Sequence, residues 1–523
     1  MPCQENKKQI FQNEYPHCYR MICRFLPDWQ RFSVEFAPEL LTVVPWIADV
    51  AEIDRAWRQI QQRQEKGEEP AISPPKRLIV NPCLEIVEAR WKGLPKLLAG
   101  KNVEPVEGHD YVAVYVAQAQ ERPVLCSLTD HQLLALKIVA EQLDIQKIAV
   151  EADTTVAVLD TLLERAVAEG LLLAPESKIR RREHFFTNPE NTQEHSRYSV
   201  AEVFTLQWHL TQACDLHCLH CYDRNNSRCL SLEQAREVLQ KFYGFCKRHH
   251  VSGQVSFTGG NPLLYPHFFT VYKEAVDLGF VTAILGNPVE EDILQKIVAI
   301  QAPAFFQVSL EGLEEHNDTI RGEGHFSRIM SFLDLLKRYN LYSMVMLTLT
   351  KANQDQVVEL AMLLKNKVDL FTFNRLAMVG EGAALASAPR EGYREFLEAY
   401  SRAARQHGHM AFKDNFFNLL RYEEGQNLFG GCTGFGCGAA FNFVSLLANG
   451  DVHACRKLPS RIGNILEQSL DDIYHSPQAR QYRRGPSQCE GCSIRPACGG
   501  CLAVSYGFGL DIFRQKDPYC FVS

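Results

Sequence analysis

From residue 204 the chain alternates between short apolar runs and amphipathic stretches, and this alternation limits the available folds more than any other feature. The strand-like runs are FTLQWHLT, QVSFTGG, VTAILGN, FFQVSLEG, YSMVMLTLT and LFTFNRLAMV. Between them lie segments with helical spacing, such as SLEQAREVLQKFYGFCKRHH, HFFTVYKEAVDLGF and HFSRIMSFLDLLKRYN. Six β/α units in succession imply a parallel sheet, closed or partly closed into a (β/α)6 barrel, over residues 200–400. In such a barrel the chemistry belongs at the C-terminal ends of the strands.

The cysteines supply that chemistry. The chain has 18 of them in 523 residues and begins without the charged-then-apolar layout of a secretory signal. Cytosolic thiols are kept reduced, so metal or cluster ligation explains this number better than disulfides do. No run approaches a membrane span, and a net charge of −7 offers no general attraction to nucleic acid. The expected setting is the cytoplasm, with a small molecule or peptide as partner.

After the first strand comes CDLHCLHCY, which puts Cys214, Cys218 and Cys221 in a CxxxCxxC array on the first β/α loop. Three thiolates on a short loop can cap three irons of a cubane and leave the fourth iron open. An open iron can chelate the amino and carboxylate groups of S-adenosylmethionine (SAM) and reduce its sulfonium, giving a 5′-deoxyadenosyl radical. A zinc site is the alternative, but zinc prefers four tetrahedral ligands, and the triad needs neither His217 nor His220.

In this context the array resembles the radical SAM superfamily, with His220 in the aromatic position before the last cysteine. The second strand ends in FTGGNP, at the place of the family's GGEP motif. The resemblance makes Gly259, Gly260, Asn261 and Pro262 contacts of the SAM amino group, with Asn261 replacing the usual glutamate. Glycines there would let the backbone approach a ligand closely. It also implies that Ser309 and Glu311 face the SAM ribose and methionyl end and that Arg321 offers a fork to its carboxylate, with Asn287 at the LGN strand end a further candidate contact.

Residues 425–523 form a second cysteine module. Its pattern is Cys432-x4-Cys437-x12-Gly450-x4-Cys455, then Cys489-x2-Cys492-x5-Cys498-x2-Cys501, then Cys520. Eight thiolates make two sets of four, which suits fully ligated iron–sulfur clusters, although paired CxxC elements also suit zinc ribbons. The pattern resembles the SPASM module of peptide and protein maturases. That resemblance implies interleaved ligation, with Cys432, Cys437, Cys455 and Cys501 on one auxiliary cluster and Cys489, Cys492, Cys498 and Cys520 on the other. The spacing departs from the family's at Cys498-x2-Cys501. Cysteines 3, 18, 23, 83, 126, 229 and 246 show no ligand spacing and read as small buried hydrophobes.

The N-terminal half is expected to be α+β. Residues 1–105 read as mixed helices with a polar linker around QRQEKGEEPAISPPK. Residues 106–180 read as strands and then helices, with the pattern of a winged-helix unit. Its many acidic residues disfavour phosphate contact. The order resembles the PqqD-like fold, which grips a leader peptide as an added edge strand, although a plain structural domain fits too. A second linker, RRREHFFTNPENTQEHSR, precedes the barrel.

The fold expected for the whole chain is therefore a partial (β/α)6 TIM-like barrel with a C-terminal SPASM module and an N-terminal α+β region. The motifs together most resemble the selenobiotic-type radical SAM peptide maturases, associated with thio- or seleno-oxazole formation. That resemblance implies a Cys- or Sec-containing precursor peptide with a leader, and an external one-electron donor of the flavodoxin or ferredoxin type. Two other readings are a formylglycine-type maturase and a non-catalytic zinc or iron–sulfur scaffold. Formylglycine formers carry an aspartate base after the third module cysteine, where this chain has Arg456. Lys413, Asp414 and Arg375 are the candidate acid or base groups.

Overall fold

The computed structural model describes residues 2–522 apart from 30, 32, 34, 66–73, 118–121, 182–195 and 225–227. Both linker motifs thus fall largely outside the described residues. The chain divides into two compact units, Met1–Glu176 and Ser177–Ser523.

In the first unit, β1 (Ile79–Val80), β2 (Leu84–Lys92), β3 (Val106–Tyr115), β4 (Val124–Ser127) and β5 (Leu172–Leu173) form two small sheets. Strands β2, β3 and β4 make an antiparallel meander, and β1 pairs with β5. The helices Asp130–Ala140, Ile145–Glu151 and Val156–Ala168 follow, the first opened by a capping box between Thr129 and Gln132. The strands-then-helices order is present, but the sheet draws on both sides of the boundary expected at residue 105. The backbone groups of β3 are satisfied on one edge by β2, which lies before that boundary. The helix Ile47–Glu65 buries Ile47, Val50, Ile53 and Ile60 in the same core as Val112 and Val114 of β3. At its centre the buried Asp54 accepts hydrogen bonds from the backbone N–H of His17 and of Cys18 and lies 2.6 Å from His17 Nδ1.

The second unit contains the barrel. Strands β6 (Val203–Thr211), β7 (Ser252–Gly259), β8 (Val281–Leu285), β9 (Phe306–Ser309), β10 (Ser343–Leu349) and β11 (Leu370–Arg375) coincide with the six runs read from sequence. They pair in parallel in chain order. Among the described residues β6 does not pair with β11. The free edge of β6 is taken by β12 (Phe443–Leu446), also in parallel, and β13 (Asp451–His453) and β14 (Arg461–Asn464) continue the same nine-stranded sheet. The C-terminal module is therefore continuous with the barrel.

Phe204, Leu206 and Trp208 of β6 and Val255 and Phe257 of β7 are fully buried. Phe204 meets Phe242 and Phe245 of the helix Leu232–His249 and Tyr474 of the helix Leu470–His475, joining strand, barrel helix and C-terminal module. Cys18, Cys83 and Cys246 are buried as expected, whereas Cys23, Cys126 and Cys229 are only partly so. No helix of the described residues is long and apolar enough to cross a membrane. Replacing Phe204 by alanine should cost about 3–5 kcal/mol of stability, read as an earlier midpoint in denaturant unfolding of the loaded protein.

Candidate active site

The cysteine loop is held where β6 ends. Thr211 Oγ1 accepts the N–H of Ala213 at 3.1 Å and turns the chain into Cys214–Cys221. The end of β7 is laced beneath it, with Gly260 N donating to Thr211 O and Asn261 N to Ala213 O, each at 2.8 Å. A Cβ on Gly259 would stand 2.3 Å from Thr211 O, and one on Gly260 2.3 Å from Ala213 O. The glycines are thus required by the cysteine loop itself, a close approach of backbone to backbone, while both also line the cavity above.

That cavity, of about 420 Å³, lies at the C-terminal strand ends. Cys214, Cys218, Cys221, Asn287, Ser309 and Arg321 all face it. Asn261, Pro262 and Glu311 lie just behind this lining. Asn261 is buried and donates to Asp215 Oδ1 at 3.0 Å, and Asn287 donates to the same oxygen at 2.7 Å. Asn287 also reaches Cys214 Sγ at 3.6 Å. A glutamate at 261 would set a carboxylate against Asp215, whereas the amide supplies a donor. Asp215 was missed from sequence because nothing in CDLHC distinguishes a loop aspartate from an orienting one.

Glu311 is buried, and a buried carboxylate needs partners. Its Oε1 accepts Arg321 Nε at 2.9 Å and lies 3.3 Å from His220 Nε2, and its Oε2 accepts the N–H of Thr348 at 2.8 Å. Burial pushes this carboxyl up, but His220, Arg321 and the Thr348 N–H outweigh it and hold it well below the usual carboxylate range. Arg321 Nη1 is left 3.6 Å from Cys218 Sγ. The fork expected for a ligand carboxylate is thus already shared between Glu311 and a thiol. His220 Nε2 lies against Glu311, and His217 Nδ1 lies 3.3 Å from Arg224 Nη1.

The expected acid and base groups have another task. Arg375, at the end of β11, is buried and donates through Nε to Asp414 at 2.6 Å and through both Nη atoms to Asp517 at 2.8 and 2.9 Å. Asp517 Oδ2 in turn accepts the N–H of Cys501 at 2.7 Å. Asp414 is therefore paired with Arg375, and Lys413 donates to Cys432 O at 3.2 Å. Next along the chain, Asn415 joins the separate cysteine segments. It accepts the N–H of Cys432 at 2.7 Å and donates to Cys498 O at 2.8 Å and to Gly500 O.

The eight module cysteines fall into two groups. Cys432, Cys437, Cys455 and Cys501 line one pocket of about 140 Å³. Burial first, and then Cys455 and Cys432, push the Cys437 thiol up to about 11. In the other group, burial followed by Cys492 and Cys520 pushes Cys489 up to about 11, and Cys498 is raised by burial and by those same three neighbours. This grouping matches the interleaved ligation that the SPASM resemblance implies, which is taken up below as part of the proposed function. Asn374, Arg375, Arg456 and Lys457 line both the larger cavity and the 140 Å³ pocket.

Comparison with known proteins agrees with this geometry. Residues 208–364 match the radical SAM superfamily and residues 437–501 match SPASM, an iron–sulfur cluster-binding domain. The chain carries a radical SAM domain and a SPASM domain. It is 24% identical to the AdoMet-dependent heme synthase of Methanosarcina barkeri over 345 residues, 60% of this chain and 95% of that one. It is 28% identical to the mycofactocin maturase MftC of Mycolicibacterium smegmatis over 334 residues, 60% and 82% of the two chains. Streptococcus suis SuiB, solved with its precursor peptide SuiA, shares the fold at 17% identity and a TM-score of 0.50, covering 86% of this chain and all of that one.

The cofactors of this radical SAM protein are SAM and a [4Fe-4S] cluster, with auxiliary iron–sulfur clusters in the SPASM domain. The residues fit them, because none of these thiols is in a disulfide, Cys214, Cys218 and Cys221 line the larger cavity, Cys432, Cys437, Cys455 and Cys501 line the smaller pocket, and Cys489, Cys492, Cys498 and Cys520 act on one another electrostatically. Thiolates are the ligands such clusters take.

Two substitutions test the supports. Gly260→Val should leave the barrel folded yet prevent the loop from holding its cluster, seen as about four fewer irons per chain after anaerobic reconstitution. Arg375→Met strands two buried carboxylates and should cost about 3–5 kcal/mol, measured by denaturant unfolding.

Proposed function

We propose that this radical SAM/SPASM enzyme modifies a ribosomally made precursor peptide, and that the reacting residue is a cysteine or selenocysteine. The observation that carries the reading is the wall of Asn374, Arg375, Arg456 and Lys457 shared by the barrel cavity and the first module pocket. A substrate in the cavity would lie against both. MftC is by name a maturase, and SuiB was solved with a precursor peptide, which supports a peptide substrate.

In this reading Cys214, Cys218 and Cys221 hold the SAM-binding cluster. Cys432, Cys437, Cys455 and Cys501 hold one auxiliary cluster, and Cys489, Cys492, Cys498 and Cys520 the other. When bound, SAM and the three-cysteine cluster supply a 5′-deoxyadenosyl radical that abstracts hydrogen from the substrate.

The protein's own residues bind and orient. Asp215 holds the amides of Asn261 and Asn287, and so fixes Asn287 beside Cys214. Glu311 aims Arg321 at Cys218. Ser309 and the Gly259–Gly260 backbone line the space where SAM would lie. Arg456 donates to Thr258 Oγ1 at 3.3 Å and places a cation where formylglycine chemistry would need an aspartate base, which disfavours that alternative.

A leader peptide would add to an edge strand of the β2–β3–β4 meander, in which β2 and β4 are the outer strands. Electrons would come from a flavodoxin- or ferredoxin-type donor, and the setting would be the cytoplasm.

Anaerobic reconstitution should give about twelve irons with matching sulfide from three cubanes. The Cys214, Cys218, Cys221 triple alanine variant should retain about eight and release no 5′-deoxyadenosine. Zinc in place of iron, or SAM cleavage undiminished in the triple variant, would overturn the assignment. Co-expression with a small Cys- or Sec-containing peptide encoded beside this chain, followed by mass spectrometry, should show a mass change absent with the triple variant.

A further inference from the structure

Outside the cysteine pockets, three potential metal ligands converge where the helices Leu232–His249 and Leu470–His475 meet. His249 is the last residue of the helix Leu232–His249, within the radical SAM match. Asp471 and His475 lie four residues apart on the helix Leu470–His475, within the SPASM match, and so share one helix face. One donor atom from each lies within 4.8 Å of the other two. We propose that His249, Asp471 and His475 form a site for a zinc-class divalent cation that clips the two domains together.

The arrangement is already close to ligation. His249 Nε2 lies 2.8 Å from Asp471 Oδ1, so the cation would replace one shared proton. Two ligands about 2.0 Å from a tetrahedral zinc ion stand roughly 3.3 Å apart, so the pair needs to open by only a few tenths of an ångström. His475 Nδ1 lies 2.9 Å from the carbonyl of Asp471, and with a proton there its Nε2 lone pair is left for a metal. The two imidazole planes are within 25° of parallel, with centroids 5.5 Å apart. His249 is 6% exposed, and its buried Nδ1 has no hydrogen-bond partner. Phe245, with its ring centroid 4.3 Å from that of His249, and Tyr474 wall the inner side.

Two imidazoles and a carboxylate are the donor set that zinc accepts, with a fourth position left to water. The local competitor is Arg248, whose guanidinium takes Asp471 Oδ2 and leaves Oδ1 for the metal. Arg248 is more than half exposed and has room to swing away.

The test uses the reconstituted holoenzyme, its cysteines filled, washed with chelator and dialysed anaerobically against zinc. The wild type should hold one zinc more per chain than His475→Ala, with the iron content of the two equal, and His475→Ala should bind zinc at least tenfold more weakly. Arg248→Gln should bind it several-fold more tightly. Zinc should raise the unfolding temperature of the wild type and not that of His475→Ala. X-ray absorption at the zinc edge should show nitrogen and oxygen neighbours without sulfur. Equal zinc in the wild type and His475→Ala, no zinc in either, or a sulfur neighbour at about 2.3 Å would each overturn the proposal.

Discussion

The join between barrel and module rests on Arg375. Its guanidinium is buried with two carboxylates, and desolvating three charges is costly unless every donor and acceptor is matched. Here they are matched. Nε serves Asp414, both Nη atoms serve Asp517, and the faces of Phe416 and Tyr519 lie within 5 Å of the cation. Asp414 precedes Asn415, which stitches Cys432 to Cys498, and Asp517 accepts the N–H of Cys501. One side chain at the end of β11 thus fixes the stretches of backbone that carry the first module pocket. An arginine at a barrel strand end invites a catalytic reading, but its partners make it a positioning residue.

The same economy governs the SAM side. Hydrogen bonds from Gly260 and Asn261 to Thr211 and Ala213 bring two loops so close that a side chain at either glycine could not fit. The Asn261 amide then meets Asp215 where the family's glutamate would be repelled. The departure from the family motif and the aspartate in the cysteine loop are two halves of one local solution.

The periodic and the spaced features were legible in the sequence. The six barrel strands follow from apolar runs of strand length, and the cysteines follow from spacings that cluster ligation demands. The division of the eight module thiols needed the family's interleaved pattern, because residues 37 apart in the chain, such as Cys455 and Cys492, give no sign of which pocket each enters. What stayed hidden depends on partners distant in sequence. Asp517 lies 142 residues from Arg375, and Asn415 lies 83 from Cys498. The pairing of β3 with β2 moved a boundary for the same reason, since a strand edge does not announce its neighbour. The partners of Glu311 are hidden for the same reason, since the VSLEG motif gives no sign that its carboxylate meets Arg321 and the N–H of Thr348, 37 residues away.

Charge explains why the module and its clusters depend on each other. Burial and the adjacent Arg456 lower the pKa of Lys457, whereas Cys432, Cys501 and Cys455 work in the opposite direction. With the thiols protonated, that pocket holds the half-buried Lys457 side chain beside the Arg456 guanidinium and no thiolate to offset either. Ligation removes the thiol protons, and the thiolate-bound cluster becomes the anion that both cations need. Burial has raised the Cys437 and Cys501 thiols to about 11 and 12, so those protons leave only when a metal takes their place. Cluster loading therefore relieves unfavourable electrostatics at the wall that the first module pocket shares with the larger cavity.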